Sequence, residues 1–182
     1  LKIAVLLICR LSKTIGSCGI SANESIVLSE RTERVESPDV FPWIVSIGYY
    51  DRDRHWIHEC GGSVVSDRTV LTAAHCVRNS SRWTVRSVST NPAQESDDDR
   101  GRFERRIRFS VRHPRYVGDA YFDVAVIVLN KPITVHPICI PKTNGGNEKK
   151  TSLKNVTAYF GAFGGSNGNL LKKVNLKIHE QR

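Results

Sequence analysis

At 182 residues, 40% of them apolar, the chain is long enough for one ordinary domain or two small lobes packed as one, and too short for two large independent domains. Its formal net charge of +9 comes with no aromatic stacking platform and no helix-turn-helix pattern, which sets nucleic acid aside as a partner. No run approaches the roughly 20 apolar residues of a spanning helix, no zinc-type Cys/His spacing occurs, and neither a metal nor a cofactor is expected.

The sequence opens on Leu1 and contains no methionine, so it is read as a fragment or an incomplete gene model. One lysine precedes an apolar run from Ile3 to Cys9, which Arg10 breaks. Residues 1–17 therefore read as a signal peptide cut between Ser12 and Ser17, with a buried N-terminal strand as the alternative. A leader implies secretion. Cys9 would leave with it, and Cys18, Cys60, Cys76 and Cys139 would remain. Four cysteines allow three pairings, and spacing does not choose among them. Sequons at Asn23, Asn79 and Asn155 fit an extracellular glycoprotein.

Short runs rich in Val, Ile, Thr and aromatics follow in order: WIVSIGYY, GGSVVSDRTVLTAA, RWTVRSVST, RRIRFSV, DVAVIVL, NVTAYF and LLKKVNLKI. They read as strands, and only LTAAHCV could make a helical turn. The polar connections NPAQESDDDRG and KTNGGNEKKTS complete the pattern of an antiparallel barrel or sandwich. Within the first of them, the acidic cluster Glu95 to Asp99 is read as a solvated turn in preference to a calcium site. In RGRFERRIRFSVRHPR, Ile107, Phe109 and Val111 alternate with Arg106, Arg108, Ser110 and Arg112. The alternation predicts a half-buried strand with its arginines on the wet face. Arg105, Arg106 and Arg108 are then candidates for binding a polyanion. Further on, GGSNG mimics a nucleophile elbow around Ser166, but that motif needs a strand-turn-helix in a parallel α/β sheet, so Ser166 is read as a loop residue.

CGGSVVSDRTVLTAAHC, residues 60–76, sets His75 at the end of an apolar run beside a cysteine. Taken alone, such a histidine is more often structural than catalytic. In company with FPWIVSI, HPRY, DVAVIVL and PICIP, in that order and spacing, the segment resembles the first half of the trypsin-like serine endopeptidases of chymotrypsin fold. The resemblance runs from about Pro42 to Ile178.

It implies an all-β, chymotrypsin-like double β-barrel, with the N-terminal barrel complete over roughly residues 40–136 and the second incomplete from about residue 150. It implies His75 as general base and Asp123 as the carboxylate that orients it, acting on protein or peptide substrates. It also implies disulfides Cys60–Cys76 and Cys18–Cys139. His113, in HPRY, is read as structural. The family's serine lies roughly 93 residues beyond the aspartate in Gly-Asp-Ser-Gly-Gly, a distance this chain does not reach, so the nucleophile is expected to be absent and the chain inactive. The expected layout is a leader over 1–17, a propeptide-like segment over 18–34 with cleavage after Arg34 favoured over Arg31, and the protease domain over 35–182. The competing expectation is a secreted, non-catalytic homologue that binds or regulates partners.

Overall fold

The computed structural model describes residues 7–8, 33–34, 41–77, 82–87, 103–140, 157–164 and 170–177. Among them are ten strands: β1 (Leu7–Ile8), β2 (Glu33–Arg34), β3 (Ile44–Tyr50), β4 (Trp56–Ser66), β5 (Thr69–Thr72), β6 (Thr84–Ser87), β7 (Glu104–Arg112), β8 (Ala125–Leu129), β9 (Thr157–Gly164) and β10 (Leu170–Lys177). Only a single 3₁₀ turn, Ala74–Cys76, interrupts the strand pattern among these residues. No helix among them is long and apolar enough to cross a membrane.

Six strands close a barrel in the order β3-β4-β5-β8-β7-β6, every pair antiparallel. The cause is a period of two. Val45 and Ile47 on β3, Val64 on β4, Val70 on β5, Val85 on β6, and Ile127 and Leu129 on β8 all point inward and are essentially inaccessible. Their β-branched side chains suit a pleated surface. Cross-strand neighbours meet directly, as in Ile47 opposite Val85 and Val70 opposite Ile127. Phe41 and Trp43, edge to face at 6.2 Å, join the same core. Closure leaves no free edge on this sheet.

Two glycines let strands approach. β3 slips register against β4 between Ile47 and Gly48, and a Cβ at Gly48 would fall 2.0 Å from the Ile57 carbonyl oxygen. A Cβ at Gly62 would meet Val70 Cγ1 at 2.6 Å inside the barrel.

β7 departs from the predicted alternation. Ile107 faces the buried Leu129, but a bulge between Ile107 and Phe109 reverses the two faces. Ser110 then lies opposite buried Ile127, while Phe109 and Val111 stand outside, 50% and 56% exposed. The arginines divide as well. Arg106 and Arg108 are exposed as expected, but Arg105 is half-buried opposite Val85. Its Nε donates to the Pro132 carbonyl at 3.0 Å and its Nη1 to the Glu104 carbonyl at 2.8 Å.

The remaining strands form an open four-stranded sheet, β1-β9-β10-β2. β9 and β10 are an antiparallel pair from Leu170 opposite Gly164 to Lys177 opposite Thr157. β1, inside the segment read as a leader, pairs with β9, Leu7 opposite Phe160 and Ile8 opposite Tyr159. β2, which contains Arg34, pairs with β10. The sequons, Cys18, Arg31, the Glu95–Asp99 cluster and Ser166 lie outside the described residues.

Candidate active site

β5 ends at Thr72, whose hydroxyl donates to the Gly61 carbonyl at 2.8 Å and so satisfies a buried oxygen. Ala73 continues extended, and the 3₁₀ turn then reverses the chain, with Cys76 N–H donating to the Ala73 carbonyl at 3.1 Å. The turn sends Ala74 and Cys76 into the core and leaves His75 at the surface of the barrel. Two ties hold it there. Cys76 is bonded to Cys60 on β4, sixteen residues upstream, a loop closure of the size that stabilises by about 3 kcal/mol in the chain-entropy account. Arg112 Nη2, from the end of β7, donates to the Val77 carbonyl just after the turn.

Asp123 arrives on the connection from β7 to β8. His113 N–H donates to the Val124 carbonyl at 2.9 Å, and Val124 N–H donates to the Phe122 carbonyl at 2.7 Å, closing a three-residue turn centred on Asp123. Its carboxylate accepts twice from one residue. Oδ1 takes the His75 backbone N–H at 2.8 Å and Oδ2 takes His75 Nδ1–H at 2.6 Å. Both side chains are largely shielded, 30% and 23% exposed.

Burial by itself would raise the Asp123 pKa. It is outweighed by the hydrogen bonds from the His75 ring and backbone, by charge interaction with that ring and by the Ala74 N–H, so the carboxyl sits below its ordinary value. An ionised carboxylate can only accept, which places the imidazole proton on Nδ1 and leaves the lone pair on Nε2. The Nε2 edge lies 3.4 Å from Cys76 Sγ. An imidazole held this way can take a proton at Nε2 while the carboxylate stabilises the resulting cation. Among the described residues no serine hydroxyl hydrogen-bonds to Nε2.

The structure therefore brings together His75, Asp123, Cys60 and Cys76. Cys139 is disulfide-bonded, and its expected partner Cys18 lies outside the described residues. Arg105, Arg106 and Arg108 are on β7, with Arg105 engaged by two backbone carbonyls. His113 stacks on Phe122 with centroids 4.9 Å apart, and Arg115 Cζ lies 4.0 Å from the same ring.

A second polar group was not anticipated from the sequence. Ser46 Oγ and His58 Nδ1 are 2.8 Å apart, and Trp56 Nε1 donates to the same Oγ at 3.0 Å. Burial, reinforced by the Arg86 charge and opposed by Glu59, lowers the His58 pKa to about 4. Its signal in the sequence is faint: a histidine two places before Cys60, in a stretch too polar to read as a strand.

Among the described residues, two groups of donor atoms lie close enough to suggest a metal. In Cys60, His75 and Cys76 the sulfurs are spent on each other. In Asp51, Asp53 and His55, at the turn from β3 to β4, Asp51 Oδ1 already accepts two backbone N–H groups.

A family model described as "Trypsin" matches residues 31–182. The chain is 30% identical over 133 residues to "Phenoloxidase-activating factor 1" of Holotrichia diomphalia, which covers 59% of this chain and 35% of that protein. It is 29% identical over 162 residues to "CLIP domain-containing serine protease B4" of Anopheles gambiae, covering 80% of this chain and 44% of that one. With "Venom protease" of Bombus pensylvanicus it shares 32% over 111 residues, 56% of this chain and 44% of the other. The chain thus spans less than half the length of these relatives. A solved structure described as "Structure of GrC" superposes with a TM-score of 0.63 at 22% identity, over 82% of this chain and 65% of that one, which shows a shared fold.

Proposed function

The chain belongs to the trypsin family of serine proteases, and on that premise we propose that its parent protein hydrolyses peptide bonds through a serine acyl-enzyme. One observation supports this reading above all others: the Asp123 carboxylate grips His75 at both the backbone N–H and Nδ1. His75 Nε2 takes the proton of a serine hydroxyl as it attacks the substrate carbonyl, then returns it to the leaving amine. Asp123 stays ionised and fixes the tautomer. The disulfide at Cys76 keeps the base in place, because a displacement of about 1 Å can cost about a hundredfold in rate.

No serine of the 182 residues stands in Gly-Asp-Ser-Gly-Gly. The nucleophile and the oxyanion-binding amides then come from sequence outside these residues, and the 182-residue chain by itself is inactive. The proposed layout is a leader over 1–17, a propeptide-like segment over 18–34 that is cut after Arg34 but stays tethered by a Cys18–Cys139 disulfide, and the protease domain over 35–182. The product is secreted, and its substrates are proteins or peptides. Arg106 and Arg108, with Arg105 beside them, offer a polyanion a foothold.

A secreted, non-catalytic homologue is the second reading. A fluorophosphonate probe separates the two. A longer product carrying Gly-Asp-Ser-Gly-Gly is expected to label, its His75→Ala variant and the 182-residue chain are not, and a folded long product that stays unlabelled rules out the protease reading.

A further inference from the structure

Phe122 has φ of 56°, in the left-handed region. Glycine is at ease there, asparagine tolerable, and a bulky aromatic disfavoured. It immediately precedes Asp123 and supplies the carbonyl that closes the turn around that residue. Its ring is not loose. His113 stacks on it at 4.9 Å with planes 12° apart, and Arg115 Cζ lies 4.0 Å from its centroid.

His113 and Arg115 are themselves linked, Arg115 N–H donating to His113 Nδ1 at 3.2 Å. His113 also holds the far side of the turn, through its N–H on the Val124 carbonyl. One anchored unit therefore grips the residues on either side of Asp123.

We propose that Phe122 is a positioning residue: its ring, held by His113 and Arg115, keeps the backbone in the left-handed conformation that aims the Asp123 carboxylate at His75. Released, Phe122 relaxes toward negative φ, turns the following peptide and carries the carboxylate away from the imidazole. Arg115 and His113 contribute through Phe122 and touch no reacting group. The inference deepens the reading of Asp123 as the orienting carboxylate and depends on it.

The test uses the oxidised 182-residue chain and reads the His75–Asp123 hydrogen bond directly, as the low-field proton resonance of His75 Nδ1–H and its rate of exchange with solvent. Asp123→Asn should abolish the resonance and so assign it. Phe122→Ala removes the ring and leaves the conformational penalty in place. Exchange should then accelerate about tenfold, the combined worth of a stacked ring and a cation–π contact. Phe122→Tyr should restore the parent rate.

An unchanged rate in Phe122→Ala overturns the positioning role and leaves the catalytic reading standing. Absence of the resonance in the parent overturns both. If the amide spectrum shows that Phe122→Ala does not fold, Arg115→Gln takes its place. It should raise exchange about two- to fivefold, the range of an exposed cation–π contact, and no change refutes the proposal.

Discussion

Burial keeps the His58 imidazole neutral, and that neutrality has a cost in acid. The folded protein holds its pKa at about 4, against 6.5 when the ring is free. As pH falls below about 6.5 the unfolded chain takes up a proton that the folded chain refuses, so stability declines toward pH 4 by up to about 1.4 kcal/mol per pH unit. The urea midpoint is expected to fall across that window, and His58→Asn to flatten the fall. Parallel profiles for the two proteins would refute this assignment. Asp123 has the opposite sign of group and a lower window: its carboxyl is held down, so its stabilisation is full at neutral pH and disappears only below the ordinary carboxylate range.

At the scale of strands, Gly48 is the position with no room for change. A methyl group there would overlap a backbone carbonyl, which cannot swing aside as a side chain can. Gly48→Ala is expected to lower stability by about 3 kcal/mol, the upper end for overpacking, and Gly62→Ala by about 2 kcal/mol, because its nearest contact is a side-chain methyl of Val70 and the nearest backbone oxygen, of Leu71, stands at 3.2 Å. Equal urea midpoints for the two variants would contradict this ranking. Strands with one buried face were legible in the sequence because burial imposes a period of two, as in Val70 and Thr72 or Ala125, Ile127 and Leu129. The turn at LTAAHCV was legible too, as the 3₁₀ turn Ala74–Cys76. The outer half of β7 was not, because one bulged residue exchanges the inward and outward sets without changing the composition. Nor was the start of β4, where Trp56, His58 and Glu59 mask the pattern. His75 and Asp123 could be picked out from short motifs, and they lie 2.6 Å apart. His113 could be picked out only as a structural residue of HPRY, and its grouping with Phe122 and Arg115 could not, since a positive φ and a ring stack arise only when the chain returns on itself.

At the scale of the whole molecule, the positive charge on the described residues is less available than their count of basic side chains suggests. Arg86 lies over the Trp56 ring, Arg105 and Arg112 donate to backbone carbonyls, and Arg115 is held on Phe122. On β7 the exposed Arg106 and Arg108 are the groups left to meet an anionic chain. Reversing both, as Arg106→Glu with Arg108→Glu, is expected to bring the protein off heparin at lower salt, whereas Arg105→Glu alone leaves elution unchanged. Unchanged retention in the double variant removes the polyanion proposal.

Barrel closure also bears on biosynthesis. Every strand of the closed sheet lies between Ile44 and Leu129, and both sulfurs of the Cys60–Cys76 bridge lie inside that interval. A nascent chain emerging from the ribosome can therefore complete this half, oxidise it and set His75 against Asp123 while later residues are still being translated. The second sheet is completed only later, once β9 and β10 have been made.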